Sequence, residues 1–137
     1  MSGKSYVARS MAAADMYQAN ILDHYKNPRN RGKLEPCTVH VEEDNPLCGD
    51  RVLLYLNLTN GTITDIAFDG QGCAISQAST SMLTEHVKGK PLAEAKALDK
   101  DDVLKLLGIP VSPVRMKCAT LGLNSLKSAA AAYESKA

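Results

Sequence analysis

The chain has 137 residues, a length that suits one domain with its own hydrophobic core. Its formal charge of +1 argues against broad electrostatic binding to nucleic acid or acidic membranes, and no apolar run is long enough to span a bilayer. Four cysteines are too few for a small disulfide-held domain. We therefore expect a reducing, cytoplasmic setting, in which cysteines more often bind metal or react.

The first fourteen residues differ in composition from the rest. They carry Lys4 and Arg9, three serines and no acidic residue, a weak likeness to a mitochondrial transit peptide. We interpret residues 1–14 as a flexible tail and residues 15–137 as a single domain.

The first predicted element is a helix over residues 16–26, with Asp15 as its N-cap. It ends before Pro28, because the residue preceding a proline avoids the helical region. His24 is interpreted as a packed or exposed helix residue, not as a ligand.

A weak alternation over residues 38–41 predicts an edge strand. Cys37 lies just before it and has no partner at ligand spacing, so we interpret Cys37 as a structural or incidental thiol. His40 is interpreted in the same way.

In residues 51–58 apolar residues occupy every second position, which predicts a half-buried strand. The Asn60-Gly61 dipeptide favours a type I′ hairpin turn, and residues 63–68 are predicted to return antiparallel.

The sequence next predicts three helices. One is predicted from Cys73 to Lys88, a short one begins at Pro91, and Asp99 is predicted to cap a third over residues 100–107.

Residues 109–114 contain two prolines and are predicted to be an extended connector. The last helix is predicted from near Met116 to about Glu134, which puts Cys118 in its first turn. The predicted architecture is α+β: a small antiparallel three-stranded sheet with helices packed on one face.

Four polar side chains are predicted to meet at one end of this sheet. Cys48 and Asp50 flank Gly49 just before the second strand, and the hairpin returns the chain to the same end, where Cys73 follows. With Cys118, these residues form a predicted metal or cluster site.

The residue types fit such chemistry. Cys73 and Cys118 are each predicted to open a helix, where partial positive charge and unpaired N–H groups stabilise a thiolate. Three thiolates and one carboxylate supply four ligands for Zn²⁺ or for an iron–sulfur cluster. Because a carboxylate is a harder ligand than a thiolate, we expect the cluster to be held temporarily.

Two basic residues precede Cys118. The ammonium group of Lys117 is predicted either to assist a thiol by its charge or to be a solvated surface group. Arg115 has the same two interpretations. Since the chain lacks a CxxC pair, buried thiols with no ligand role are the alternative that the residues leave open.

Four motifs together resemble the IscU/SufU/NifU N-terminal family of iron–sulfur cluster scaffolds and sulfur acceptors. They are Leu22-Asp-His-Tyr25-Lys-Asn-Pro28-Arg29-Asn30, Asn45-Pro-Leu-Cys48-Gly49-Asp50, Gly70-Gln-Gly72-Cys73-Ala-Ile-Ser76 and Arg115-Met-Lys117-Cys118-Ala-Thr-Leu. The resemblance covers roughly residues 16–134.

The resemblance implies functions for the residues of these motifs. Cys48, Asp50, Cys73 and Cys118 would hold a nascent [2Fe–2S] cluster, or Zn²⁺ in its place. The three cysteines would be candidate persulfide carriers, supplied by a cysteine desulfurase partner. The resemblance also implies an α+β sandwich, apo-protein recipients of the cluster, and a possible homo-oligomer.

The chain departs from both main branches of the family. Lys117 stands where the IscU branch has a histidine, as in the SufU branch, yet the chain has no room for the insertion usual in SufU proteins. The Leu-Pro-Pro-Val-Lys segment that an Hsp70-type chaperone recognises is replaced by residues 109–115. An Hsp70-type partner is therefore not expected by resemblance.

Three hypotheses follow. The first is a scaffold that builds a transient [2Fe–2S] cluster for transfer to apo-proteins. The second is a zinc-bound sulfur acceptor, a persulfide relay that stimulates the desulfurase. The third is a structural zinc domain that binds a partner, which predicts that chelation unfolds the protein.

Overall fold

A computed structural model describes residues 18–45 and 49–136 of the chain. The strands are β1 (Val39–Asn45), β2 (Asp50–Thr59) and β3 (Thr62–Gln71), in one antiparallel sheet of order β1-β2-β3. The described helices are α1 (18–26), α2 (Ala74–Val87), α3 (Leu92–Ala97), α4 (Lys100–Leu107) and α5 (Pro113–Lys136). The predicted α+β class is confirmed. The predicted tail and the predicted N-cap Asp15 lie outside the described residues.

The β2–β3 hairpin forms as predicted. Asn60 and Gly61 both have positive φ, 52° and 78°, as the type I′ turn requires. The strands are longer than predicted, and the register pairs Arg51 with Gln71. Consequently the start of β2 and the end of β3 lie at the same end of the sheet.

Strand β1 lies at one edge of the sheet, as predicted, but it continues to Asn45 and does not end at Val41. Its second half is Glu-Glu-Asp-Asn, so no apolar alternation marks it in the sequence. Backbone pairing with β2 extends it, and Asn45 is the cross-strand partner of Asp50. The end of β1 therefore joins the same end of the sheet.

Helices α2 and α5 cover the sheet: α5 contacts β1 and β2, and α2 contacts β3. The core between these layers includes buried side chains from strands and helices alike: Val52, Leu54, Leu56, Ile66, Phe68 and Leu126. A second apolar cluster joins α1, α2, α4 and α5 through Ile21, Met82, Leu83, Val103, Leu107 and Leu123. Within the described ranges, no helix combines the length and apolar character needed to cross a bilayer.

The ends of α3 and α4 match the sequence signals closely. Pro91 is the N-cap of α3, which begins one residue later than predicted. Asp99 caps α4: its side chain accepts from the Asp102 N–H, while the Asp102 side chain accepts from the Asp99 N–H. Gly108 ends α4 in the left-handed conformation, with φ 74°.

The predicted start of the last helix near Met116 is wrong. Helix α5 begins at Pro113, because a proline at the first helical position lacks only an N–H that has no intrahelical acceptor. The predicted connector therefore ends at Ser112, before Pro113. Cys118 is the sixth residue of α5 and lies in its second turn, not its first.

Helix α1 is anchored to α2 through His24, which is 4% exposed. His24 Nδ1 lies 2.7 Å from Ser81 Oγ, which also accepts the backbone N–H of Arg29 at 2.8 Å. Burial lowers the pKa of His24, and the positive charge of Arg29 lowers it further. The interpretation of His24 as a packed helix residue agrees with this position.

Candidate metal and sulfur site

Asp50 lies at the end of the sheet where β2 begins. The Gly49 N–H donates to the Asn45 carbonyl at 2.9 Å, and Gly49 has φ 71°, a left-handed conformation that favours glycine. Asp50, the first residue of β2, is 2% exposed. Cys48, the predicted ligand two residues earlier, lies outside the described residues.

Cys73 meets Asp50 directly. The Cys73 N–H donates to Asp50 Oδ1 at 2.9 Å. Cys73 is the N-cap of α2 and is half-buried, and the first turn of α2 contains no acidic residue. Its thiol therefore lies at the positive end of the helix dipole, as predicted.

Gly72 makes room for this contact. A Cβ atom at Gly72 would lie 2.4 Å from Asp50 Oδ1 and 2.5 Å from Ser76 Oγ. Both distances are far below van der Waals contact, so any other residue here displaces these side chains. Gly72 has a positioning function that the sequence patterns did not predict.

Cys118 approaches from helix α5 and is 1% exposed. Asn45, itself 6% exposed, donates from Nδ2 to Cys118 Sγ at 4.0 Å. Because Cys118 lies in the second turn, the first-turn N–H groups predicted to stabilise its thiolate are not beside it.

Three predicted ligands converge. One ligand atom from each of Asp50, Cys73 and Cys118 lies within 4.8 Å of the others, the one such group of His, Cys, Asp and Glu among the described residues. Sulfur ligands about 2.3 Å from a tetrahedral Zn²⁺ are about 3.8 Å apart, so small side-chain adjustments suffice for coordination.

The two oxygens of the Asp50 carboxylate have different surroundings. Its Oδ1 accepts the Cys73 N–H, whereas its Oδ2 is buried and has no hydrogen-bond partner among residues 18–45 and 49–136. A buried carboxylate oxygen without a partner is costly, and a bound cation is one kind of group that would satisfy it.

The other candidate residues are not members of this group. Lys117 and Arg115 are exposed on the first turns of α5. Cys37 is half-buried beyond the opposite end of β1, roughly 20 Å away along a seven-residue strand. His40 stacks on Tyr55 with ring centroids 5.9 Å apart. The placement of Cys37 and His40 agrees with their interpretation as residues without a ligand role.

Comparison with known proteins gives the family. Residues 16–137 match the family model described as the NifU-like N-terminal domain. The chain belongs to the NifU-like N-terminal domain family. This membership agrees with the resemblance that the four sequence motifs carry.

The relatives of this NifU-like chain come from both branches. It is 38% identical over 136 residues to the zinc-dependent sulfurtransferase SufU of Bacillus subtilis, covering 87% of this chain and 92% of that protein. It is 38% identical over 124 residues to the iron–sulfur cluster assembly scaffold protein IscU of Escherichia coli, covering 88% and 95%. The crystal structure of a nitrogen-fixing NifU-like protein (N-terminal) from Brucella abortus superposes with a TM-score of 0.75 at 25% identity, covering 90% and 97%.

The alignments with SufU and IscU differ in how many aligned positions have no residue in this chain. Since 87% of 137 residues is about 119, the 136 aligned positions with SufU include about 17 that have no residue in this chain. With IscU, 88% is about 121 residues of 124 positions, so about 3 are unmatched. In aligned length the chain therefore resembles the Escherichia coli IscU more than the Bacillus subtilis SufU.

Proposed function

We propose that this protein is an iron–sulfur cluster assembly scaffold. It receives sulfur from a cysteine desulfurase and holds a transient [2Fe–2S] cluster, its cargo, for transfer to apo-proteins. The observation that carries this proposal is the convergence of Asp50, Cys73 and Cys118. The IscU relative, named as a scaffold, supports it.

The donor set fits a thiophilic cation or cluster. Two thiols supply soft ligands, and Asp50 Oδ2 supplies one harder ligand that needs a partner. Cys48, two residues before Asp50 in the chain, would complete a set of three sulfurs and one oxygen. Such a set suits tetrahedral coordination of Zn²⁺ or the edge of an iron–sulfur cluster.

Sulfur transfer to this chain is a thiol exchange. A cysteine thiolate of this chain attacks the outer sulfur of a persulfide on the desulfurase. A new S–S bond forms, the S–S bond of the desulfurase persulfide breaks, and the desulfurase cysteine leaves as a thiolate. The step is balanced in electrons and needs no oxidant.

Of the two thiols in the described ligand group, Cys73 is the more accessible. It is half-buried, whereas Cys118 is 1% exposed. A partner's persulfide would reach Cys73 without displacement of helix α5. The N–H groups at the start of α2 would stabilise the Cys73 thiolate that attacks.

Cluster formation also needs iron and electrons. Each transferred sulfur gains two electrons as it becomes sulfide; ferrous iron supplies part of them, and an external electron donor supplies the rest. Asp50 is the hardest ligand of the set, so its bond to iron is the one most easily exchanged for a recipient's thiolate. That property favours transfer over permanent storage.

A zinc-bound sulfur relay is the second candidate function. It is favoured by the SufU relative, named as a zinc-dependent sulfurtransferase, and by Lys117 exposed directly before Cys118. The unmatched positions of SufU favour the scaffold. A structural zinc domain ranks last, because both apolar clusters form from residues other than the ligands.

Anaerobic reconstitution with ferrous iron, cysteine, a reductant and a cysteine desulfurase tests the proposal. A scaffold acquires the visible absorption of a bound cluster with stoichiometric acid-labile sulfide. Stimulated desulfurase turnover with zinc retained and no sulfide bound supports the relay. Unfolding by a chelator alone supports the structural zinc domain.

Single-residue variants assign the site in the same assay. We expect Cys73→Ser and Cys118→Ser to lose the cluster. Cys37→Ser is the matched control, because it makes the same substitution at the distant half-buried thiol. Equal cluster yields from all three variants would contradict the assigned ligands.

A further inference from the structure

Asn45 lies beside the converging ligands without being a candidate ligand itself. It is the last residue of β1 and the cross-strand partner of Asp50. Its carbonyl accepts the Gly49 N–H at 2.9 Å. The backbone of Asn45 therefore holds Gly49, the residue before Asp50, against the end of β1.

The side chain of Asn45 reaches a different element. Its Nδ2 donates to Cys118 Sγ on α5 at 4.0 Å, and the residue is 6% exposed. A buried amide needs hydrogen-bond partners, and sulfur accepts at longer distances than oxygen. The contact joins β1 to α5 at the sulfur atom that completes the described ligand group.

We propose that Asn45 is a positioning residue of this site. Its amide donates an N–H···S hydrogen bond that holds the Cys118 sulfur toward Asp50 and Cys73 and reduces the electron density that this sulfur donates to a bound cation. The inference rests on the proposed metal or cluster site and adds to it a neutral donor that tunes one ligand.

An amide suits this role better than a charged group. A carboxylate at position 45 would repel the Cys118 thiolate, and a lysine would compete with the cation for it. Hydrogen bonds to ligand sulfurs set the stability and potential of such centres, and loss of an outer partner commonly costs 10–100-fold in metal affinity.

The test uses the full-length chain loaded with Zn²⁺ or with Co²⁺ as a spectroscopic probe. Asn45→Ala is compared with Asp44→Ala, the same substitution at the preceding residue, whose half-exposed side chain pairs with Arg51. We expect Asn45→Ala to hold Zn²⁺ about ten-fold less tightly in competition with a chromophoric chelator. We expect Asp44→Ala to match the wild type.

The Co²⁺ spectrum separates a hydrogen bond from general destabilisation. A sulfur that loses an N–H donor has higher-energy lone pairs, so the thiolate-to-cobalt charge-transfer band should move to longer wavelength in Asn45→Ala. Asn45→Leu fills a similar volume without a donor and should show the same shift if the alanine variant does not fold. A band and Zn²⁺ affinity equal to those of Asp44→Ala would overturn the inference.

The Co²⁺ spectrum of the wild type separates failure of the proposed site from failure of the inference about Asn45. If wild-type protein shows no thiolate-to-cobalt band, the proposed site itself is wrong. If the wild type shows the band and the Asn45 variants leave it unmoved, the site stands and the function of Asn45 is rejected.

Discussion

Gly72→Ala is predicted to destabilise the metal-free protein, because the new methyl group would displace two neighbouring side chains, Asp50 and Ser76. The new methyl group would lie 2.4 Å from Asp50 Oδ1, so the carboxylate must rotate away and lose the Cys73 N–H. The methyl would also displace Ser76 Oγ, which donates to the Cys73 carbonyl at 3.1 Å. The ligand group would be disrupted even though no ligand is replaced.

The expected change in unfolding free energy combines two lost hydrogen bonds with one smaller stabilising effect. Losing a hydrogen bond to a charged group costs about 2 kcal/mol, and losing the neutral Ser76 bond costs about 1 kcal/mol. Replacing glycine by alanine also restricts the unfolded chain, which stabilises by about 0.7 kcal/mol where the backbone permits it. The net loss in unfolding free energy is about 2 kcal/mol, a large share of the stability of a small domain.

A double-mutant cycle with Asp50→Ala isolates the contact. With the carboxylate removed, Gly72→Ala should cost close to zero, so the two substitutions should couple by about 2 kcal/mol. Unfolding in urea, followed by circular dichroism with chelator and reductant present, measures each variant. Gly122→Ala is the matched control: its methyl would meet Thr80, not Asp50, so its cost should be equal in both backgrounds. An equal cost of Gly72→Ala in both backgrounds would refute the reasoning.

Three further predictions concern the cluster, the N-terminal helix and a helix cap. Asp50→Ala should give a longer-lived cluster after anaerobic reconstitution, because the exchangeable carboxylate is gone; a cluster that decays as fast as in the wild type would remove that function from Asp50. Burial lowers the pKa of His24 below its ordinary 6.5, so the unfolding free energy should fall as the pH drops below about 6.5, where the unfolded chain binds a proton that the folded chain resists. His24→Gln should flatten that pH dependence in urea titrations, whereas Lys26→Gln on the same helix should retain it. Asp99→Ala should lower the urea midpoint, because it removes the hydrogen bond that the Asp99 side chain accepts from the Asp102 N–H, and Asp101→Ala, at a side chain outside the capping box, should lower it less.

Local signals predicted most of the fold. Asn60-Gly61 specifies a hairpin turn through backbone sterics that depend on those two residues alone, and Asp99 specifies a helix start through its own side chain. The convergence of Asp50 and Cys73 followed from the hairpin, since an antiparallel return brings both strand ends together. Such features need no knowledge of distant contacts.

The wrong predictions concern residues whose structure depends on their place within a helix or on pairing with a distant strand. The rule for helix interiors predicts that Pro113 belongs to the connector, but proline is tolerated at the first helical position. Helix α5 therefore starts at Pro113, and Cys118 lies in its second turn. The second half of β1 has no apolar alternation and exists through pairing with β2. The contacts of Asn45 and Gly72 depend on α5 and on the β2–α2 approach, which no local pattern encodes.

The most direct test of the proposed site is X-ray absorption at the zinc edge of the Zn²⁺-loaded protein. We predict a first shell of three sulfurs and one oxygen, from Cys48, Cys73, Cys118 and Asp50. Cys73→Ser and Cys118→Ser should each remove one sulfur, and Cys37→Ser should remove none. A first shell without sulfur, or one unchanged by substitution of Cys73 and Cys118, would contradict the account.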